Sequence, residues 1–126
     1  MQFNAQSKNW AGTTANPAVS LEDFLELLKA SGAACARVQE ELAPSGLRHF
    51  QWCARWGSNQ REKVVRKLFP GSHISVAKNM AQLWAYCGKE DTRVNGPLEF
   101  GDPPVARNTG GTRAERNAML LAKGAE

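Results

Sequence analysis

Val38-Gln39-Glu40-Glu41-Leu42-Ala43-Pro44-Ser45-Gly46-Leu47-Arg48-His49-Phe50-Gln51-Trp52 holds two alternating runs around a turn. Successive side chains on a strand point to opposite faces, so a period of two assigns each residue a side. From Ala33 to Leu42, Ala34, Ala36 and Val38 share one face, and Cys35, Arg37, Gln39 and Glu41 share the other. From Leu47 to Trp56, Phe50, Trp52, Ala54 and Trp56 stand opposite His49, Gln51, Cys53 and Arg55. Pro44-Ser45-Gly46 supplies the turn residues between them. The pattern predicts an antiparallel hairpin with one aromatic, apolar face to bury and one polar face to explain.

Outward from the hairpin, Asn9 to Thr14 reads as a strand that ends at Ala15-Asn16-Pro17, where proline removes a backbone donor. Ser20 followed by Asp23 resembles a capping box, and Leu21, Phe24, Leu25, Leu27 and Leu28 recur at helical spacing as far as Gly32. Ser58 is the expected cap of a second helix, Asn59 to Phe69, with Val64, Val65 and Leu68 buried and Arg61, Lys63, Arg66 and Lys67 forming a basic surface. Pro70-Gly71 ends that helix. Ser72 to Ala77 is a short strand, Met80 to Lys89 a third helix striped by Met80, Leu83, Trp84 and Cys87, and Gly96 to Gly101 a last edge strand. This order predicts an α+β fold: a central antiparallel sheet of about five strands flanked by helices in a ferredoxin- or RRM-like arrangement. Residues 1–101 make the expected domain. The Pro, Gly, Asn and Arg composition of 102–126 suggests a linker, Pro103 to Gly111, followed by a short helix over 112–123.

At 126 residues, 42% of them hydrophobic, the chain can bury one core. Its 16 Lys and Arg against 12 Asp and Glu leave +4, which suits a polyanionic partner without requiring one. Three cysteines at spacings that match no zinc motif point to a reducing compartment. No apolar signal core or membrane-spanning run is visible.

The chemistry lies on the polar face. His49 and Gln51 point together, and the hairpin can bring Glu41 beside them from the neighbouring strand. One carboxylate oxygen, one imidazole nitrogen and one amide oxygen, with no thiolate, favour Mg²⁺ or Mn²⁺ over zinc, held weakly and strongly Lewis-acidic toward phosphate. Tyr86, the sole tyrosine, and Lys89 are three apart and would share a helical face over that site. A phenol is a poor nucleophile at neutral pH, and a nearby ammonium and cation would activate it. Attack by Tyr86 on a polarised phosphodiester would leave a phosphotyrosyl bond and a free hydroxyl, and the same site could rejoin the strands without ATP.

These residues resemble the Rep proteins of circular single-stranded DNA viruses, in the circovirus, cyclovirus and nanovirus group, which carry HUH-type nicking endonuclease domains. The resemblance runs over residues 8 to 101 with the motifs in family order. Lys8-Asn9-Trp10-Ala11-Gly12-Thr13-Thr14-Ala15-Asn16-Pro17 is similar to the first motif, a Trp and then Phe-Thr-x-Asn-Asn-Pro, with departures at Gly12 and Ala15. It implies DNA contacts at Lys8, Trp10, Thr13 and Asn16. His49-Phe50-Gln51 matches the second motif in its His-x-Gln form. Val38-Gln39-Glu40-Glu41 resembles the segment that gives the acidic metal ligand, for which Glu41 fits the parity better than Glu40. Tyr86-Cys87-Gly88-Lys89-Glu90-Asp91 is close to the third motif, with its nucleophilic tyrosine and partner lysine. The resemblance implies rolling-circle initiation in the host nucleus: a nick at an origin stem-loop, a covalent 5′-phosphotyrosine, and later strand closure. It also implies a homo-oligomer and a superfamily 3 helicase region; with no Walker motif here, this chain would be the endonuclease half.

Each reading has a plainer counterpart. His49, Gln51 and Glu41 are also what a solvated open sheet face carries. His73 has no partner ligands by spacing, and Cys87 reads as packing. The cluster from Arg61 to Lys67 is either a solvated helix face or a phosphate contact, the latter giving Arg61 and Lys67 as DNA-binding candidates. The rival function is a non-catalytic single-stranded nucleic-acid-binding module in which Phe50, Trp52, Trp56 and the basic second helix stack on and grip the strand.

Overall fold

The computed structural model describes residues 5–103. The linker and helix expected after residue 103 lie outside them. The elements follow the expected order: β1 (Gln6–Ala15), α1 (Leu21–Ala30), β2 (Cys35–Leu42), β3 (Arg48–Arg61), α2 (Glu62–Leu68), β4 (His73–Val76), α3 (Met80–Tyr86) and β5 (Arg93–Phe100). They form one antiparallel sheet in the order β4-β1-β3-β2-β5. Because β1 and β2 both run antiparallel to the β3 between them, the first six elements make the split arrangement of a ferredoxin-like fold, and β5 extends the sheet beyond β2.

Register turns the alternation of the sequence into two faces. Trp10, Ala54 and Ala36 stand side by side across β1, β3 and β2, as do Gly12, Trp52 and Val38. This face is covered by α1 and α2. Phe24 of α1 meets the Phe50 ring edge-on at 5.2 Å and Phe69 at 5.7 Å, and Phe69 lies 4.7 Å from Trp52. Leu28, Val38, Phe50, Trp52 and Val65 are fully buried. Removing an aromatic from such a core costs about 3–5 kcal/mol, so this layer fixes the sheet on which the opposite face depends. There, Met80 and Trp84 of α3 and Cys87 just past its end rest on Cys35 and Cys53.

Ser20 caps α1 as expected, its hydroxyl accepting from the Asp23 amide at 3.1 Å. Several boundaries differ from expectation, β1 among them, which starts at Gln6 rather than Asn9. The second helix does not start after Ser58: β3 continues to Arg61 because Gln60 and Arg61 pair with Ser7 and Gln6, and the ladder supplies more backbone bonds than a serine cap. The Glu62 amide instead donates to the Ala5 carbonyl at 3.0 Å, and Val64 and Leu68 are left exposed. The third helix stops at Tyr86 rather than Lys89. Gly88 follows it with its backbone so close to Arg37 that a Cβ there would lie 2.6 Å from the guanidinium. β5 starts at Arg93, ahead of the expected Gly96, because Arg93 and Asn95 pair with Glu41 and Glu40.

Candidate active site

Glu41 of β2 stands directly opposite His49 of β3, which stands opposite Ala15 of β1. The next row on the same face is Gln39, Gln51, Thr13 and, on β4, His73. The hairpin thus brings together the three expected metal-ligating residues, Glu41, His49 and Gln51. His49 Nε2 lies 3.1 Å from Glu41 Oε1. Gln51 Nε2 donates to the Gly12 carbonyl at 3.3 Å, which fixes the amide, and its Oε1 accepts from the Thr13 hydroxyl at 3.1 Å.

Glu41 is only 2% exposed. Burial raises its carboxyl, but a hydrogen bond from Gln39, the charge and bond of Lys89 and the contact with His49 outweigh it and hold the group below its ordinary value. Lys89 Nζ donates to Glu41 Oε1 at 3.3 Å and to Thr92 Oγ1 at 2.8 Å. Glu40 points to the other face, where Arg48 and Asn95 bond its two oxygens and hold its carboxyl low. Parity therefore gives the site to Glu41.

Tyr86 is the last residue of α3 and 48% exposed. Lys89 does not lie on the helix with it, as expected, but beyond the helix end. The turn returns the chain, with the Lys89 amide donating to the Tyr86 carbonyl at 3.2 Å, and sets Nζ 5.0 Å from the phenol ring centroid. One ammonium so links the buried carboxylate to the exposed tyrosine.

Among the described residues, no three His, Cys, Asp or Glu side chains gather as a metal cluster. The candidate set has two of those types and completes itself with an amide. Its donors fit a hard divalent cation: an ionised carboxylate, an imidazole whose Nε2 faces it, and an amide oxygen that keeps a lone pair beyond its bond to Thr13. Glu41, His49 and Gln51 are the residues that could hold it.

The expected DNA contacts scatter. Thr13 is in the site and Lys8 is exposed on β1. Asn16 is exposed just past β1, with φ at 47° and its amide bonded to the Arg48 carbonyl at 2.9 Å. Trp10 is corrected: it has the parity of the core face, is 1% exposed, and donates to the Ser7 carbonyl, so a nucleic acid cannot reach its ring. Arg61 and Lys67 are exposed, but Lys67 is on α2, across the sheet from Glu41. Sequence reasoning missed Gln39, Arg37 and Thr92. Gln39 Nε2 donates to both Glu41 Oε2 and the Lys89 carbonyl, each at 2.8 Å, and Arg37 Nη1 donates to the Trp84 carbonyl at 2.8 Å. The parity of Arg37 and Gln39 with Glu41 was the available signal; Thr92 had none.

Fold and site define a class: a ferredoxin-like α+β domain that buries one sheet face under two helices and carries Glu41, His49 and Gln51 together on the other. Its sequence is similar to the master replication protein of Banana bunchy top virus, 39% identical over 71 residues, which are 56% of this chain and 25% of the relative. It is also similar to those of Subterranean clover stunt virus, 30% identical, and Faba bean necrotic yellows virus, 31% identical, each over 96 residues, 74% of this chain and 31% of the relative. The chain spans a quarter to a third of the length of the curated relatives it matches. No protein-family model matches it. The chain is a homologue of the Rep proteins of circular single-stranded DNA viruses.

Proposed function

We propose that this domain starts replication of a circular DNA by nicking single-stranded DNA at an origin stem-loop, holding the new 5′ end as a phosphotyrosine and later rejoining strands. The observation that carries this reading is Lys89, 3.3 Å from Glu41 Oε1 and 5.0 Å from the Tyr86 ring centroid, which ties the ligand cluster to the one tyrosine. Tyr86 Oη attacks phosphorus and its proton passes to water. The P–O3′ bond breaks, and the leaving oxygen takes up a proton to become a 3′-hydroxyl. Lys89 stabilises the phenolate and the charge that gathers on the phosphate. Mn²⁺ or Mg²⁺ at Glu41, His49 and Gln51 would supply Lewis-acid polarisation of a non-bridging phosphate oxygen. For rejoining, a 3′-hydroxyl attacks the phosphotyrosine and Tyr86 leaves. Within a longer protein the domain would work as part of a homo-oligomer in the host nucleus.

The rival binding module is disfavoured because Phe50 and Trp52 are fully buried and Trp56 is 3% exposed, under α1 and α2, where no base can stack on them. The test is cleavage of a labelled origin-like single strand with Mn²⁺ or EDTA. Metal-dependent cleavage, reduced at least about 100-fold in His49→Ala, is the expected result. Tight binding with every candidate origin left intact would return the reading to a binder.

A further inference from the structure

We propose that Gln39 is a positioning residue that holds the acidic ligand and the nucleophile's segment in one fixed relation. The inference rests on the proposed function and adds to it a residue outside the resembled roles. Both hydrogens of the Gln39 amide nitrogen are used, one on Glu41 Oε2 and one on the Lys89 carbonyl, at 2.8 Å each. Glu41 Oε1 is thereby left facing His49 and Lys89. The second bond fixes the backbone three residues past Tyr86, inside the turn that Gly88 packs against Arg37.

The other end of the amide is informative. Gln39 Oε1 is buried and has no hydrogen-bond partner among the described residues. A buried unpaired carbonyl costs about 1–3 kcal/mol. Turning the amide over would not relieve it, since the oxygen would then meet a carboxylate oxygen and a carbonyl oxygen. The side chain is thus held for its two donors at the expense of its acceptor. An orienting group of this kind, which touches a ligand but not the cation, typically changes metal affinity or activity by about ten- to a hundred-fold when lost.

The test is Gln39→Met in the full chain, close to glutamine in size but without donors, read by Mn²⁺ electron paramagnetic resonance titration without DNA and by cleavage kinetics. The expected result is a folded protein by circular dichroism with Mn²⁺ affinity at least about ten-fold weaker, kcat reduced and KM for the oligonucleotide unchanged. If Gln39→Met does not fold, Gln39→Asn, whose amide is too short to reach both partners, carries the same expectation. Mn²⁺ affinity and kcat within two-fold of the parent in either folded variant overturn the inference alone. A parent that neither binds Mn²⁺ nor cuts overturns the proposed function and this inference with it.

Discussion

A Cβ on residue 12 would lie 2.1 Å from two indole carbons of Trp52, so only glycine lets β1 run alongside that ring. The motif that this segment resembles has phenylalanine there. In this chain the bulk comes instead from Trp52 on β3, whose Nε1 donates to Thr14 Oγ1 at 3.1 Å, and the departure at Gly12 is offset from the neighbouring strand. Gly12→Ala is expected to destabilise by about 1–3 kcal/mol, since a fully buried indole has nowhere to move. Urea unfolding checks this; an unchanged midpoint would mean that Trp52 is not seated over Gly12. The same residue shows what the sequence could not disclose. Alternation put Trp52 on the apolar face, but only register reveals which residue of β1 must yield to it.

The three helices were legible in kind but unequally in extent. α1 carries its own signals, a serine cap, acids in its first turn and Lys29 in its last, and was found within two residues. α2 and α3 take their ends from contacts distant in sequence: α2 from the pairing of Gln60 and Arg61 with β1, α3 from the fit of Gly88 against Arg37. No local pattern shows the first, and Gly88 alone marks the second. The docking of α3 can be read through the thiols beneath it. The hydrogen bond between the free thiols of Cys87 and Cys53, together with burial, pushes the Cys87 thiol far above its ordinary value, and burial pushes Cys35 up. Little reactive thiolate of Cys35 or Cys87 is present at pH 8, and Cys53 is fully buried. All three cysteines are expected to resist a thiol-specific disulfide reagent at pH 8 in the native protein and to react promptly in guanidinium, followed by absorbance. Rapid native labelling of Cys87 would show that α3 lifts from the sheet.

Across the whole molecule, the split sheet makes two surfaces, and the sequence disclosed the polar one better than its connections. Glu41, His49 and Gln51 follow from parity and a hairpin turn alone. The link from Lys89 to Glu41 spans 48 positions and needs the end of α3 to fold back on β2. The basic surface of α2 was legible as charge, but its position across the sheet from Glu41 was not, because side depends on how the helix packs. The proposed reaction depends on Tyr86 as the nucleophile. Its most direct test is to trap the protein with a single-stranded origin oligonucleotide and Mn²⁺, digest it, and locate the nucleotide-bearing peptide by mass spectrometry beside Tyr86→Phe. A 5′-phosphonucleotide on the phenolic oxygen of Tyr86, absent from Tyr86→Phe, is the expected result. Cleavage that persists in Tyr86→Phe, or an adduct on any other residue, would contradict it.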